Sequence, residues 1–265
     1  MVQKEFFEFA DNLAKEAGTE NGQHQYFLSH KYRLWVTASH FDIWKIREKE
    51  ILEIGPFFSY IPFVLREQGN RVTVLEGDDP SVLPLDPLHR AREIPVIITD
   101  LFENFGAANF SRHRLPFADN QFDIVNCWET MEHFNFNPVG FLKEVRRILK
   151  PGGMAFVTVP NVARLESRIR LFFGKPIGPL VSSYAEFYEY HGGKFLGWHW
   201  REYVLSEFVE LFVRLQFRVE QAAHLLTFTH YPRLSAARKA RRLFSSGMFR
   251  LFPSTGTICA VRAVK

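Results

Sequence analysis

From residue 50 onward, short apolar runs alternate with amphipathic stretches, and no other feature constrains the fold as strongly. The runs are EILEIG (50–55), RVTVLEG (71–77), REIPVIITD (92–100), QFDIVNCWE (121–129) and GMAFVTVPN (153–161). They are short, mostly apolar runs, each separated from the next by a helical or turn-rich stretch. Strands of that kind are buried on both faces, which points to a largely parallel, doubly wound sheet with helices on both sides.

Between the strands, YIPFVLREQG reads as a helix with Pro62 in its first turn and Gly69 at its end. NPVGFLKEVRRILKPGG reads as a helix stopped by Pro151 and Gly152. Residues 5–17 form a helix with Phe6, Phe9, Leu13 and Ala17 near one face, and AGTENGQ breaks it. YRLWVTASHFDIWKIREKE looks helical up to the first strand. Residues 204–215 form another amphipathic helix, and FRVEQAAHLL and GTICAVRAVK are two late strands. One domain over 1–265 is expected: a helical cap at 1–48, a core at 49–161, and two insertions, at 174–203 and 227–256.

A chain of 265 residues that is 46% hydrophobic can bury a sizeable core. Its apolar stretches fall short of the roughly 18–20 residues that span a bilayer. The N-terminus mixes charge with apolar residues and lacks a signal-peptide core. Cys127 and Cys259 show no metal-ligand spacing, so a reduced, cytoplasmic setting without structural disulfides is expected. The net charge of +4 hides an asymmetry. After Glu220 the chain has eight basic and no acidic residues, which leaves about −4 for the remainder. Such a tail suits an acidic substrate or an anionic lipid surface. Nucleic acid is disfavoured, because the rest of the chain is net acidic and no recognised binding module appears.

In an open α/β sheet, ligands bind beyond the carboxyl ends of the strands. Polar groups stand at four such ends: Glu53 and Gly55, Glu76, Asp100, and Trp128 with Glu129. A carboxylate after the second strand suits a ribose diol, and Gly55 lets backbone approach a ligand.

At this point the chain resembles the class I S-adenosylmethionine-dependent methyltransferases. LEIGPFFS aligns with their E/D-x-G-x-G-x-G loop, and LEGDD looks like their ribose-binding turn. TDLFEN resembles the segment that meets the adenine amine. LPFADNQFDIVNCWETMEHF is close to LPF-x-D-x-x-FD-x-V followed by an EH pair, and LKPGGMAFVTVPN matches the fifth strand. Five motifs run in order from about 50 to 161. HWREYVLSEFVELFVRLQFRVE also resembles members acting on sugars or lipid-linked glycans.

The resemblance implies a seven-stranded sheet whose last strand is antiparallel, and S-adenosyl-L-methionine as cofactor. It places that cofactor against Glu53, Gly55, Phe57, Ser59, Glu76, Gly77, Asp100, Leu101, Trp128 and Glu129. The chain departs from the family at Phe57 and Ser59, where glycines are usual. There the Phe57 amide would meet the methionine carboxylate with its ring turned to the core, or its bulk would narrow the pocket. The implied reaction is O-methylation of a sugar, glycan or lipid-linked small molecule. The alternative is a weak or inactive protein of the same fold acting as a partner subunit. A nicotinamide-dependent oxidoreductase would also use Glu76, but it gives the later motifs no role.

A hydroxyl acceptor needs a base, and His133 in METMEHF is the natural one. Glu129 and Glu132 are fallback bases. His199 and Arg201 join the candidates from SSYAEFYEYHGGKFLGWHWREY, where His191 and Tyr203 also mix with aromatic faces that suit a sugar ring or simply cover the sheet. No carboxylate–histidine spacing reads as a ligand set, so no metal is expected. In 231–252, Leu234, Ala237, Ala240, Phe244 and Met248 lie near one helical stripe, with Arg238, Lys239 and Arg242 away from it. That segment is read as a peripheral contact with anionic membrane at the inner membrane face, or as a lid.

Overall fold

The computed structural model describes residues 1–17, 28–77, 86–106, 113–178, 199–231 and 234–265. Seven strands form one sheet: β1 (Glu50–Ile54), β2 (Arg71–Glu76), β3 (Val96–Ile98), β4 (Phe122–Trp128), β5 (Leu149–Pro160), β6 (Arg218–Leu225) and β7 (Ile258–Val264). Their spatial order is β3-β2-β1-β4-β5-β7-β6. The first five strands pair in parallel, and β7 runs antiparallel to both β5 and β6. This is the seven-stranded sheet, with one late antiparallel strand, that the resemblance implied. The sequence order reverses between β1 and β4, so a crevice opens there at the strands' carboxyl ends.

Successive side chains of a strand point to opposite faces, and here both faces are dry. Ile51, Val72, Val74, Ile124 and Phe156 face one core cluster. Leu52, Ile54, Leu75, Val125, Cys127, Ala155 and Val157 face the other. On the first face lie α1 (Gln3–Glu16), α2 (Lys31–His40) and α3 (Ile61–Glu67). On the second lie α5 (Leu101–Gly106), α6 (Pro138–Ile148) and α8 (Leu205–Arg214), with α4 (Asp86–Ala91) packing on the first. Two further helices, α7 (Leu165–Phe172) and α9 (Ala236–Leu251), flank the strand ends.

The N-terminal helices are part of the core. Phe6, Ala10, Leu13 and Ala14 are buried, and Phe6 meets Tyr60 edge-on at 6.0 Å. Phe41, just after α2, stacks on Phe156 of β5 at 4.9 Å and 11°. The Arg262 guanidinium in β7 donates to the Phe41 carbonyl at 3.0 Å.

Two boundaries differ from the sequence reading. The helix expected to run to Pro151 ends at Ile148, and β5 starts at Leu149. Leu149 pairs with Phe122 but Met154 pairs with Ile124, so Lys150–Gly153 bulge from the ladder. Pro151 has no amide proton and Gly152 takes a φ of +75°, which fits a bulge better than a helix end. The stretch read as helical up to residue 49 stops at His40. Asp42 adopts a left-handed φ of +55°, and only a short 3₁₀ turn (Ile43–Lys45) follows.

Candidate active site

The β1 exit is a cramped turn. Gly55 has φ +59°, and a Cβ there would sit 2.6 Å from Thr130 Cγ2. The Thr130 hydroxyl donates towards the Ile54 and Gly55 carbonyls at 3.3 Å, so the loops after β1 and β4 interlock. Phe57 also adopts a left-handed backbone, with φ +50°. It thus takes the conformation a glycine would supply, at a strain of roughly 1–2 kcal/mol. Its amide donates to Glu76 Oε1 at 2.6 Å, and its ring meets Phe58 edge-on at 4.5 Å, against the core. The Ser59 hydroxyl accepts from the Ile61 amide at 3.2 Å and so starts α3.

Glu76 is buried at the end of β2, with Gly77 half-buried after it. Asp100 follows β3, and its carboxylate accepts the Glu103 amide at 2.9 Å, capping α5, whose Leu101 is buried. Glu53 is buried in β1 and accepts a short hydrogen bond from the Asn126 side-chain amide. Burial pushes its carboxyl up to about 8, against the opposing effect of Asn126. Trp128 ends β4 with its ring 5.9 Å from Phe41 and its indole nitrogen buried without a partner. Together these residues form a shelf around the β1–β4 crevice. Its acceptors fit S-adenosylmethionine: a strand-end carboxylate that suits a ribose, and Asp100 beside apolar Leu101 that suits an adenine. The missing Cβ of Gly55 makes room for Thr130, and the Phe57 amide, expected to meet the methionine carboxylate, is taken by Glu76. A carboxylate offers about four acceptor positions, so Glu76 can hold the Phe57 amide and hydroxyls together.

Glu129, next after β4, has φ +53° and is partly buried. Burial raises its carboxyl, opposed by Arg33 of α2, whose Nη1 lies 3.5 Å from Oε2. A short turn, Met131–His133, follows. Its Glu132 is buried, and burial together with the Glu129 charge raises that carboxyl well above its ordinary range. The Trp200 amide donates to the Glu132 carbonyl at 2.7 Å, which brings the 199–201 segment against this turn. The His133 and His199 rings then meet edge-on at 4.9 Å. Glu132, His133 and His199 each place a ligand atom within 4.8 Å of the others. The spacing argument against a metal missed this set, because His199 reaches it only through the fold. His199 Nδ1 is 2.9 Å from Glu202 Oε1, and Glu202 also pairs closely with Arg164. Burial opposes ionisation of Glu202, but His199 and Arg164 outweigh it and hold the carboxyl low.

Arg201 turns away. Its guanidinium pairs with Glu207 on the exposed side and lies over the Tyr203 ring at 5.1 Å. His191, Tyr184, Tyr188, Tyr190 and Trp198 fall outside the described residues.

A cavity of about 630 Å³ adjoins this cluster. Glu129, His199 and Glu202 form one wall, and Arg33, Arg164, Arg170, Arg238, Arg241 and Arg242 line it with Glu166. Guanidinium groups therefore exceed carboxylates. Helix α9 supplies three of these arginines while burying none of its own residues. Arg241 reaches Glu166 of α7 at 2.7 Å, across the cavity. Asn161 fixes the floor: its side-chain amide donates to the Ser254 and Gly256 carbonyls at 3.0 and 2.7 Å. Sequence reasoning missed Arg33 and Arg164, which sit in no recognisable motif, and Glu202, which lies in HWREYVLSEF but was passed over for its neighbours His199 and Arg201.

Fold and shelf define a class, and comparison with known proteins agrees. Residues 52–157 match the family model described as a methyltransferase domain. That segment resembles a methyltransferase domain, a class whose cofactor is S-adenosylmethionine. An uncharacterized methyltransferase of Schizosaccharomyces pombe is 30% identical over 144 residues, covering 50% of this chain and 48% of its own length. The aligned parts span less than half the length of the curated relatives matched. Among solved structures, the methyltransferase crystallised with the Trm112 methyltransferase activator of Haloferax volcanii superposes with a TM-score of 0.58. It is 18% identical, over 95% of this chain and 96% of that one. An S-adenosylmethionine-dependent methyltransferase of Mesorhizobium loti gives 0.57 at 12% identity, over 89% and 98%.

Proposed function

We propose that this chain is an S-adenosylmethionine-dependent methyltransferase acting on a hydroxyl of an anionic sugar, glycan or lipid-linked small molecule. One observation carries the acceptor class: an arginine-lined cavity opens directly onto Glu129 and His199. Arginine forks suit phosphate and carboxylate oxygens, so the cavity would hold an anionic group while the hydroxyl lies against the Glu132–His133–His199 cluster.

When bound, S-adenosylmethionine supplies an electrophilic methyl group. The chain's own residues then position and desolvate. Glu76 and Asp100 would accept hydroxyl and amine hydrogens, and Gly55, Phe57 and Ser59 would shape the turn beneath them. The cluster at the β4 exit would take the acceptor proton as the new O–CH₃ bond forms. Arg201, paired with Glu207, takes no part.

Helix α9 and the end of α7 expose Leu243, Phe244, Leu251, Phe252, Phe172 and Phe173 beside basic residues. Among the described residues no helix is long and apolar enough to cross a membrane. The exposed apolar rim would instead rest on an anionic bilayer and present a lipid-linked acceptor to the cavity.

Calorimetric titration with S-adenosylmethionine tests the central reading. No heat and no thermal stabilisation at millimolar ligand would sink it. That result would favour the second reading, a partner subunit of the same fold. The Haloferax volcanii protein that superposes on this chain was itself solved bound to an activator, which lends that reading its support.

A further inference from the structure

The charges at the β4 exit do not balance. Three carboxylates, those of Glu129, Glu132 and Glu202, lie close together there. Arg33 faces Glu129 and Arg164 faces Glu202. Glu132 is the most deeply buried of them, and the nearest cationic candidate is the His133 ring nitrogen at 3.9 Å. Glu132 Oε2 is buried without a hydrogen-bond partner, and besides Arg33 the Glu129 carboxylate has the Thr158 hydroxyl near it, without good hydrogen-bond geometry to Oε1. Unpaired buried carboxylate oxygens are costly, and such sites either hold protons or bind a cation.

The geometry points to a divalent cation held by Glu132, His133 and His199, with the Glu129 carboxylate beside them. Three features support it. The three ligand atoms already converge within 4.8 Å, near the spacing of neighbouring ligands around one ion. His199 offers its Nε2, because its Nδ1 faces Glu202 at 2.9 Å, and metal-bound histidines are commonly oriented by a carboxylate in this way. One flank of the cluster also opens into the arginine-lined cavity, so coordination positions remain for water or acceptor oxygens. Two imidazoles with a carboxylate suit first-row ions such as Mn²⁺ or the more tightly held Zn²⁺, and disfavour Mg²⁺, which prefers oxygen ligands.

This proposal rests on the functional reading only for the ion's role. There the ion would bind the acceptor oxygen and favour transfer of its proton to water in the open cavity, so that His133 serves as a ligand in place of the base it would be without the ion. Binding itself is read without cofactor or acceptor.

The full chain, stripped with chelator and desalted, is titrated with Mn²⁺ and followed by the electron paramagnetic resonance signal of the free ion. One Mn²⁺ per chain is expected, displaced by Zn²⁺ and not by excess Mg²⁺. His199→Ala, at a half-exposed position, should abolish that site without unfolding the protein. Glu202→Gln should weaken it by about 10–100-fold through loss of the orienting carboxylate. Glu132→Gln, nearly isosteric, is checked by thermal melting and should also lose the ion. No stoichiometric Mn²⁺ at millimolar concentration overturns the proposal, as does binding indifferent to His199→Ala. Failure to bind S-adenosylmethionine alongside intact Mn²⁺ binding would sink the functional reading and leave this one standing.

Discussion

The amide of Phe57 donates to the carboxylate of Glu76 at 2.6 Å, so the turn after β1 is latched onto the end of β2. The latch explains how a non-glycine residue keeps a left-handed backbone there: a charge-assisted hydrogen bond offsets strain of similar size. Glu76 therefore serves the turn as well as a ribose. Glu76→Ala should weaken S-adenosylmethionine binding by about 1.5–3 kcal/mol, or roughly 10- to 150-fold in Kd by calorimetry. An unchanged Kd would move the ribose elsewhere.

Gly55→Ala should destabilise the protein, because it forces both a clash with Thr130 and a left-handed alanine. The conformational part alone is about 1–2 kcal/mol. Thr130→Ala removes the two nearest atoms, so the double variant should recover the clash and keep the backbone cost. Urea unfolding of the four proteins in a double-mutant cycle reads this directly. Simple additivity would show that the two loops do not interlock.

Stability should depend on pH through Glu53. Its folded carboxyl is raised to about 8 from an ordinary value of 4.5. The folded state then holds a proton that the unfolded state has released, so this contribution is complete below about 4.5 and is lost as pH rises towards 8. Melting temperatures across that window should fall more steeply for the wild type than for Glu53→Gln. Parallel curves would mean that Glu53 is ionised in the fold.

The exposed rim of α9 makes a prediction about surfaces. Leu243 is 76% exposed and Leu251 73%. The protein should cosediment with anionic vesicles at low salt, and Leu243→Ser with Leu251→Ser should reduce this while leaving S-adenosylmethionine binding intact. Absence of wild-type cosedimentation would leave α9 as a cavity lid alone.

The parts that could be read in the sequence are local. Gly55, Glu76 and Asp100 each stand at the end of an apolar run, and a strand's exit is visible in its own residues. The antiparallel β7 came with the resemblance and not from periodicity. The misplaced helix end at 148 shows where local punctuation misleads: Pro151 and Gly152 signal a break, but a bulged strand breaks regular structure as well as a helix end does. The acceptor side was far less legible. Arg33 and Glu129 stand 96 residues apart, and nothing near either one announces the other. His199 and Glu132 meet because a backbone amide docks on a carbonyl, an interaction that any residue type could make. Arg201, which reads like a site residue from its neighbours, pairs instead with Glu207, and nothing in the local sequence announces that choice.

The reach of Arg33 and His199 into the β4 exit has a further consequence. The matched methyltransferase segment ends at residue 157 and begins at 52, so both residues lie outside it. The shelf residues lie inside the matched segment, whereas most of the wall that would choose an acceptor comes from residues on either side of it. Changes in those flanking residues can retune which molecule is methylated without disturbing the shelf.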